Sequence, residues 1–173
     1  MSCTDKIVFS MEPLLSEQIW QALAEVKDPE IPVVSLVEMG IVRDVVVAAD
    51  GQVTVKMTPT FSGCPALEQM RQDIIARVRL LGVTEVRVET VLNPPWSTDW
   101  ISEEALAKLR QFGLSPPPRH GGNIQTILFF DAAACPHCGS TQTTLQNSFG
   151  PTLCRAIYTC NTCREPFEQF KPL

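Results

Sequence analysis

Apolar and polar positions alternate along this chain with two periods, and the switches between them mark out its elements. Ile19, Trp20, Leu23 and Val26 fall on one helical face. Ser16 can cap that helix, which is expected to run to about Lys27. Asp28-Pro29-Glu30-Ile31-Pro32 stops it, because proline disfavours helix at the residue before it and removes a donor. Val33 to Met39 is mostly apolar and ends at Gly40, and Ile41 to Ala49 is rich in β-branched residues. From Gln52 to Thr58 the period is two, with Val53, Val55 and Met57 on one face and Thr54, Lys56 and Thr58 on the other. Asp50-Gly51 between these runs predicts a hairpin closed by a two-residue type I′ turn.

The helical period returns after Cys64. Leu67, Met70, Ile74, Val78 and Leu81 form one stripe, and Gly82 is placed to end the helix. Val86 and Val88 then alternate with charged residues in a third strand, from about Glu85 to Val91. Ser102 can cap a short helix over Glu103 to Phe112, onto which Trp96 and Trp100 are expected to pack. The order predicts an α+β fold: a compact helix-strand-strand-helix-strand sandwich over residues 1–113. Residues 114–127, with Pro116-Pro117-Pro118 and Gly121-Gly122, read as a semi-rigid linker in which His120 is solvated. Residues 128–173 form a second, small domain.

Two cysteine patterns carry chemistry. In Thr58-Pro59-Thr60-Phe61-Ser62-Gly63-Cys64-Pro65 the chain passes from strand to helix. Pro65 suits the first helical position, so Cys64 is expected at or beside the N-cap, where the helix dipole favours a thiolate. In the C-terminal part, Cys135-x-x-Cys138 and Cys160-x-x-Cys163 are separated by 21 residues, close to zinc-ribbon spacing. The four thiolates would form a tetrahedral structural site for zinc, with iron as the chemical alternative. A domain this small lacks a sufficient core, and a metal supplies the missing stability. Cys154 is left over and is read as a packing residue.

Composition narrows the classes of function. The chain has 173 residues, 45% hydrophobic, with seven cysteines and a net charge of −5. The start carries neither a basic region nor an apolar run, so no signal peptide is expected, and the cytoplasm with reduced thiols is the expected setting. The ribbon segment from Asp131 is neutral, with Arg155, Arg164 and Lys171 against Asp131, Glu165 and Glu168. That balance speaks against nucleic-acid binding and for docking to protein or a structural role.

Three motifs now bear on family. Asp28-Pro29-Glu30, Leu36-Val37-Glu38-Met39-Gly40-Ile41-Val42 and Thr58-x-Thr60-x-Ser62-Gly63-Cys64-Pro65 resemble the iron–sulfur cluster assembly domain of eukaryotic cluster-targeting factors and bacterial Suf-type maturation proteins. The likeness covers about residues 14–113, with Met39-Gly40 where the family usually has Leu-Gly. The continuation Pro94-Pro95-Trp96-Ser97-x-Asp99-Trp100-Ile101, the four-cysteine ribbon and Glu165-Pro166-Phe167-x-x-Phe170-Lys171 are similar to the bacterial PaaD family of phenylacetate-degradation proteins, over nearly the whole chain. The resemblance implies a non-enzymatic maturation factor for the multicomponent phenylacetyl-CoA epoxidase, whose oxygenase has a di-iron centre and whose reductase has a [2Fe–2S] cluster. It implies that Cys64 handles a transient iron–sulfur cluster or iron, with Asp28 and Glu30 in an acidic loop. Implied partners are the oxygenase and reductase subunits, iron–sulfur assembly proteins and a second copy of the chain as a homodimer.

One cysteine cannot hold a cluster that usually takes four thiolates, so Cys64 needs further ligands. The second protomer, Asp28 and Glu30, Cys154 and a client's cysteines can each supply them. An incomplete ligand set suits delivery better than storage. The competing classes are an enzyme using Cys64 as a thiol nucleophile, which would need a positioned base, and a ribbon-type nucleic-acid-binding module.

Overall fold

The computed structural model describes residues 12–123, 125 and 133–173. Helix α1 (Glu12–Leu23) is followed by strands β1 (Val42–Val47) and β2 (Val53–Met57), helix α2 (Leu67–Arg79) and strand β3 (Val86–Thr90). The sheet order is β1-β2-β3, with β1 antiparallel and β3 parallel to β2. Both helices pack on this sheet or on each other. Ile19 and Leu23 of α1 and Met70, Ile74 and Val78 of α2 share one core with Val53, Val55 and Met57. Leu81, expected on the α2 stripe, is 40% exposed because the helix has already ended.

Two local expectations are corrected. Ser16 lies within α1, not at its cap, and the helix ends at Leu23. Glu25 and Val26 then donate to the carbonyls three residues back, a tighter winding that leads into the Asp28 loop. The hairpin is closed by three residues, not two. Gly51 donates to the Ala48 carbonyl at 2.9 Å and Ala48 to the Gln52 carbonyl at 2.8 Å. Only Gly51 has a positive φ (84°), the pattern of a turn followed by a glycine bulge. Both tryptophans pack with the core that holds Ala105 and Leu109, but in different settings. Trp96 is buried, donates its indole N–H to the Met39 carbonyl and packs on Phe170. Trp100 is partly buried against the same core and lies beneath the Arg43 guanidinium, which is 3.6 Å from its ring centroid.

Helix α3 (Glu103–Gln111) is capped by Ser102, whose hydroxyl accepts from the Ala105 N–H. The chain then enters β4 (Leu114–Ser115). Strand β4 joins β5 (Thr143–Asn147), β6 (Arg155–Cys160) and β7 (Pro166–Phe170) in a second sheet of order β4-β7-β6-β5. Leu114 and Ser115 run parallel to Glu168 and Gln169. The expected linker therefore begins as a strand of the ribbon sheet; part of the remainder lies outside the described residues.

His120 is not solvated: its side chain is 5% exposed. Its Nδ1 accepts from the Gly122 N–H, which leaves Nε2 to meet the Leu173 carbonyl oxygen at 3.0 Å. The Asp99 carboxylate accepts the N–H groups of His120 and Gly121, and Arg119 bonds to the carbonyls of Thr98, Asp99 and Ile101. These bonds fasten the proline-rich segment to the Thr98–Trp100 turn. The core crosses between the sheets as well, since Leu114, Cys154 and Phe170 belong to the same cluster as Ile19 and Met57.

Candidate functional site

The ribbon cysteines converge. Cys135 and Cys138 lie on the loop before β5, Cys160 closes β6, and Cys163 lies in the turn to β7. Their four sulfurs all lie within 4.8 Å of one another. Cys135 and Cys163 are 3.7 Å apart, and Cys138 and Cys160 3.5 Å. A tetrahedral ion with sulfur at about 2.3 Å requires sulfurs about 3.8 Å apart, so the donor set fits zinc or iron in type and spacing.

The two knuckles are built alike. Gly139 donates to the Cys135 carbonyl at 2.9 Å, and Arg164 to the Cys160 carbonyl at 3.0 Å. Both residues have positive φ, 75° and 67°. The Cys160 thiol is held down at about 6, chiefly by the Cys163 N–H, with burial opposing. At Cys163 the Glu165 N–H pulls down, but burial and the neighbouring thiols outweigh it and push the group up to about 12. Four sulfurs this close can all be ionised only around a cation.

The second cluster surrounds Cys64. The loop leaves β2 at Thr58, whose N–H donates to the Ile41 carbonyl at 2.8 Å. Gly63 sits so close to the Phe61 ring that a Cβ would lie 2.9 Å from it. The helix begins later than expected: Ala66 is its N-cap and makes no side-chain cap. Cys64 is therefore two residues outside the N-cap, and its carbonyl accepts from the Leu67 N–H at 3.2 Å. The expectation of a favoured thiolate is reversed as well. Burial pushes the Cys64 thiol up, and the charges of Glu30, Asp28 and Cys154 add to this, while the Ala66 N–H offsets only part.

Asp28 and Glu30 both disfavour the Cys64 thiolate by their charge, but they are unequally committed to other partners. Asp28 is buried, and one carboxylate oxygen accepts the N–H groups of Glu30 (2.8 Å) and Ile31 (2.9 Å). It shapes the loop as an Asx turn would. The Glu30 carboxylate accepts no hydrogen bond from any described residue and remains available to a cation. No acid or base side chain among the described residues is hydrogen-bonded to the Cys64 sulfur, and His120 is committed elsewhere.

The sequence reading missed the ribbon's approach to this loop. Arg155 donates to the Glu30 carbonyl at 3.1 Å and to the Glu168 carboxylate at 2.9 Å. Its only sequence signal is a cation next to the unassigned Cys154.

An α+β domain with one cysteine beside an acidic loop, joined to a four-cysteine β-ribbon, defines the class of two-part iron–sulfur assembly proteins. The family model described as "Iron-sulfur cluster assembly protein" matches residues 16–90, and that of the "PaaD zinc beta ribbon domain" matches residues 126–171. The chain belongs to the PaaD family. It is 40% identical over 162 residues to an Escherichia coli (strain K12) protein named as one subunit of a "Putative 1,2-phenylacetyl-CoA epoxidase", covering 94% of this chain and 96% of that one. Over 94 residues it is 40% identical to an "Fe-S protein maturation auxiliary factor" of Porphyromonas gingivalis, covering 54% of this chain and 89% of that one. Among solved structures, a domain of unknown function from Bacillus anthracis matches with a TM-score of 0.53 at 31% identity, covering 57% of this chain and 93% of that one. Among the described residues no helix is long and apolar enough to cross a membrane.

Proposed function

We propose that this chain is a maturation factor that receives iron or an iron–sulfur cluster on Cys64 and passes it to a component of phenylacetyl-CoA epoxidase. Iron–sulfur assembly proteins would be its donors. The ribbon, folded around structural zinc at Cys135, Cys138, Cys160 and Cys163, docks the oxygenase or reductase client.

The observation that carries this reading is the half-buried Cys64 thiol, near enough to feel the charge of a Glu30 carboxylate to which no described residue donates a hydrogen bond. Such a set binds a thiophilic cation and leaves its coordination open. Its raised proton affinity favours release, because a proton competes with iron for the sulfur. The same feature weighs against a thiol enzyme, which needs a lowered thiol or a positioned base. Glu30 would supply a second, harder ligand, and Asp28 would hold the loop that presents it. A homodimer could complete the set with a second Cys64.

Metal and acid-labile sulfide would be measured on protein purified without oxygen, for wild type and Cys64→Ser. About one zinc in both, with iron in wild type alone, is the expected result. Full epoxidase maturation by Cys64→Ser would sink the mechanism.

A further inference from the structure

We infer that Arg155 is a positioning residue through which the ribbon sets the acidic loop of the first domain, so that the ribbon shapes the presentation of Glu30 as well as docking the client. What Glu30 is presented to follows the carrier reading above; how it is held rests on geometry alone.

A single peptide group is gripped from two directions. The carbonyl of the Glu30–Ile31 peptide accepts from Arg155 Nη2 at 3.1 Å. The N–H of the same peptide, that of Ile31, donates to the Asp28 carboxylate at 2.9 Å. The Glu30 N–H donates to the same Asp28 oxygen at 2.8 Å. The backbone of Glu30 is thus held by Asp28 from within the loop and by Arg155 from the ribbon, while its carboxylate accepts no hydrogen bond from any described residue. Elsewhere the loop closes on itself, Asp28 donating to the Val34 carbonyl at 3.0 Å and Leu36 to the Val26 carbonyl at 2.9 Å. Those bonds join its two ends, and Arg155 ties the turn between them to the second sheet.

Arg155 is itself fixed. Its N–H donates to the Thr152 carbonyl at 3.1 Å, and its carbonyl accepts from the Gly150 N–H at 2.8 Å. Gly150 lies so close that a Cβ there would sit 3.0 Å from Arg155 Cβ. The Arg155 side chain is 12% exposed, with Nη1 on the Glu168 carboxylate at 2.9 Å. Its Nε is buried without a hydrogen-bond partner among the described residues. Leaving such a donor unmet is unfavourable. The placement is explained by the other two nitrogens, whose planar fork reaches one acceptor on β7 and one on the acidic loop, a span that a lysine cannot reproduce. Strand β6 begins at Arg155 and ends at the ribbon thiol Cys160. One strand therefore runs from the acidic loop to the four-sulfur cluster.

Full-length, zinc-loaded protein would be followed by amide hydrogen exchange with NMR detection. In Arg155→Met the Glu30 and Ile31 amides should exchange about tenfold or more faster, the loss that one charge-assisted hydrogen bond represents. Ile74 and Val78 of α2 and the ribbon zinc should stay as in wild type. Arg155→Lys, which keeps the charge but not the fork, should behave the same way and covers a methionine variant that fails to fold. Asp28→Ala and Arg155→Met act on one peptide, so their combined effect on Ile31 exchange should fall short of the sum, which a general packing role would not produce. Additive effects, unchanged exchange at Glu30 and Ile31, or a rise only in step with α2 each overturn the inference. Iron content of the same samples, prepared without oxygen, separates the two readings. Iron bound by wild type and reduced in Arg155→Met, with one zinc in both, is the expected result. Equal iron in the two overturns the link from loop to cargo, whereas no iron in wild type sinks the carrier reading and leaves the exchange result to decide the role of Arg155.

Discussion

The rings of Trp96 and Phe170 lie 5.8 Å apart at an interplanar angle of 54°, joining the loop after β3 to the last strand of the ribbon. Both side chains are buried, and the indole N–H is satisfied by Met39 at 3.0 Å. Trp96→Ala should destabilise the protein by about 3–5 kcal/mol, the usual loss for a buried large aromatic. A double-mutant cycle with Phe170→Ala in urea should give a coupling of about 0.5–1.5 kcal/mol. Purely additive losses would show that the sheets do not communicate through this pair.

Metal removal should act on the same joint. Thiolate-bound structural zinc contributes on the order of 10 kcal/mol to folding of small ribbons. A strong chelator should therefore melt β5 to β7 and shift Trp96 fluorescence as Phe170 departs. Unchanged circular dichroism after complete zinc loss would contradict this.

Cys64 should alkylate slowly at neutral pH, with a rate that rises only above the ordinary thiol range, because burial and the Glu30, Asp28 and Cys154 charges disfavour the thiolate. Glu30→Gln removes one opposing charge, so the thiol falls and the neutral-pH rate rises. Iodoacetamide kinetics followed by mass spectrometry would check this, and a slower Glu30→Gln reaction would refute it.

Glu38 and Lys108 form an ion pair between the loop before β1 and α3. Burial raises the Glu38 carboxyl, but Lys108 and the Ser35 N–H and hydroxyl outweigh it and hold the group below its usual range. The folded chain thus takes up this proton less readily than the unfolded one. The contribution is complete above the ordinary carboxylate range and is lost as pH falls through the folded value. The Lys108 ammonium is raised, first by Glu38 and then by Glu104. Its share is complete below the ordinary lysine range and is lost as pH rises through the folded value. Lys108→Met should therefore cost stability evenly between about pH 6 and 9, and progressively less as falling pH protonates the Glu38 carboxyl. Denaturant midpoints across that range would test it.

Gly40 has φ +66°, and a Cβ there would lie 2.7 Å from Trp100 Cβ and 2.9 Å from the Trp100 carbonyl oxygen. Gly40→Ala combines left-handed strain of about 1–2 kcal/mol with a backbone clash. It should lower the melting temperature more than Gly51→Ala, where a Cβ meets nothing within 4 Å.

Periodicity and spacing made much of this molecule legible. Val53, Val55 and Met57 announced β2, Met70, Ile74 and Val78 announced α2, and the two cysteine pairs announced the four-sulfur cluster. Each of these signals is local. Cys64 was legible as a residue worth attention, but its electrostatics were not. A dipole argument drawn from Pro65 took no account of carboxylates brought from 34 and 36 positions away in sequence. His120 was misread for the same reason, since only the fold carries Ser97, Asp99 and Leu173 to it. Arg164 shows the limit at a single residue: its left-handed φ equals that of Gly139 in role, yet arginine gives no hint of it.

Strand β4 is only Leu114 and Ser115, yet it covers the flank of β7. A ribbon cut from the chain at residue 128 would lose that cover and bare a row of unpaired amides on a strand carrying Phe167 and Phe170. Exposed strand flanks of this kind recruit foreign strands. The isolated ribbon would then be prone to swap or aggregate even with its metal in place, so the protein is best regarded as one inseparable folding unit whose two halves guard each other's solubility.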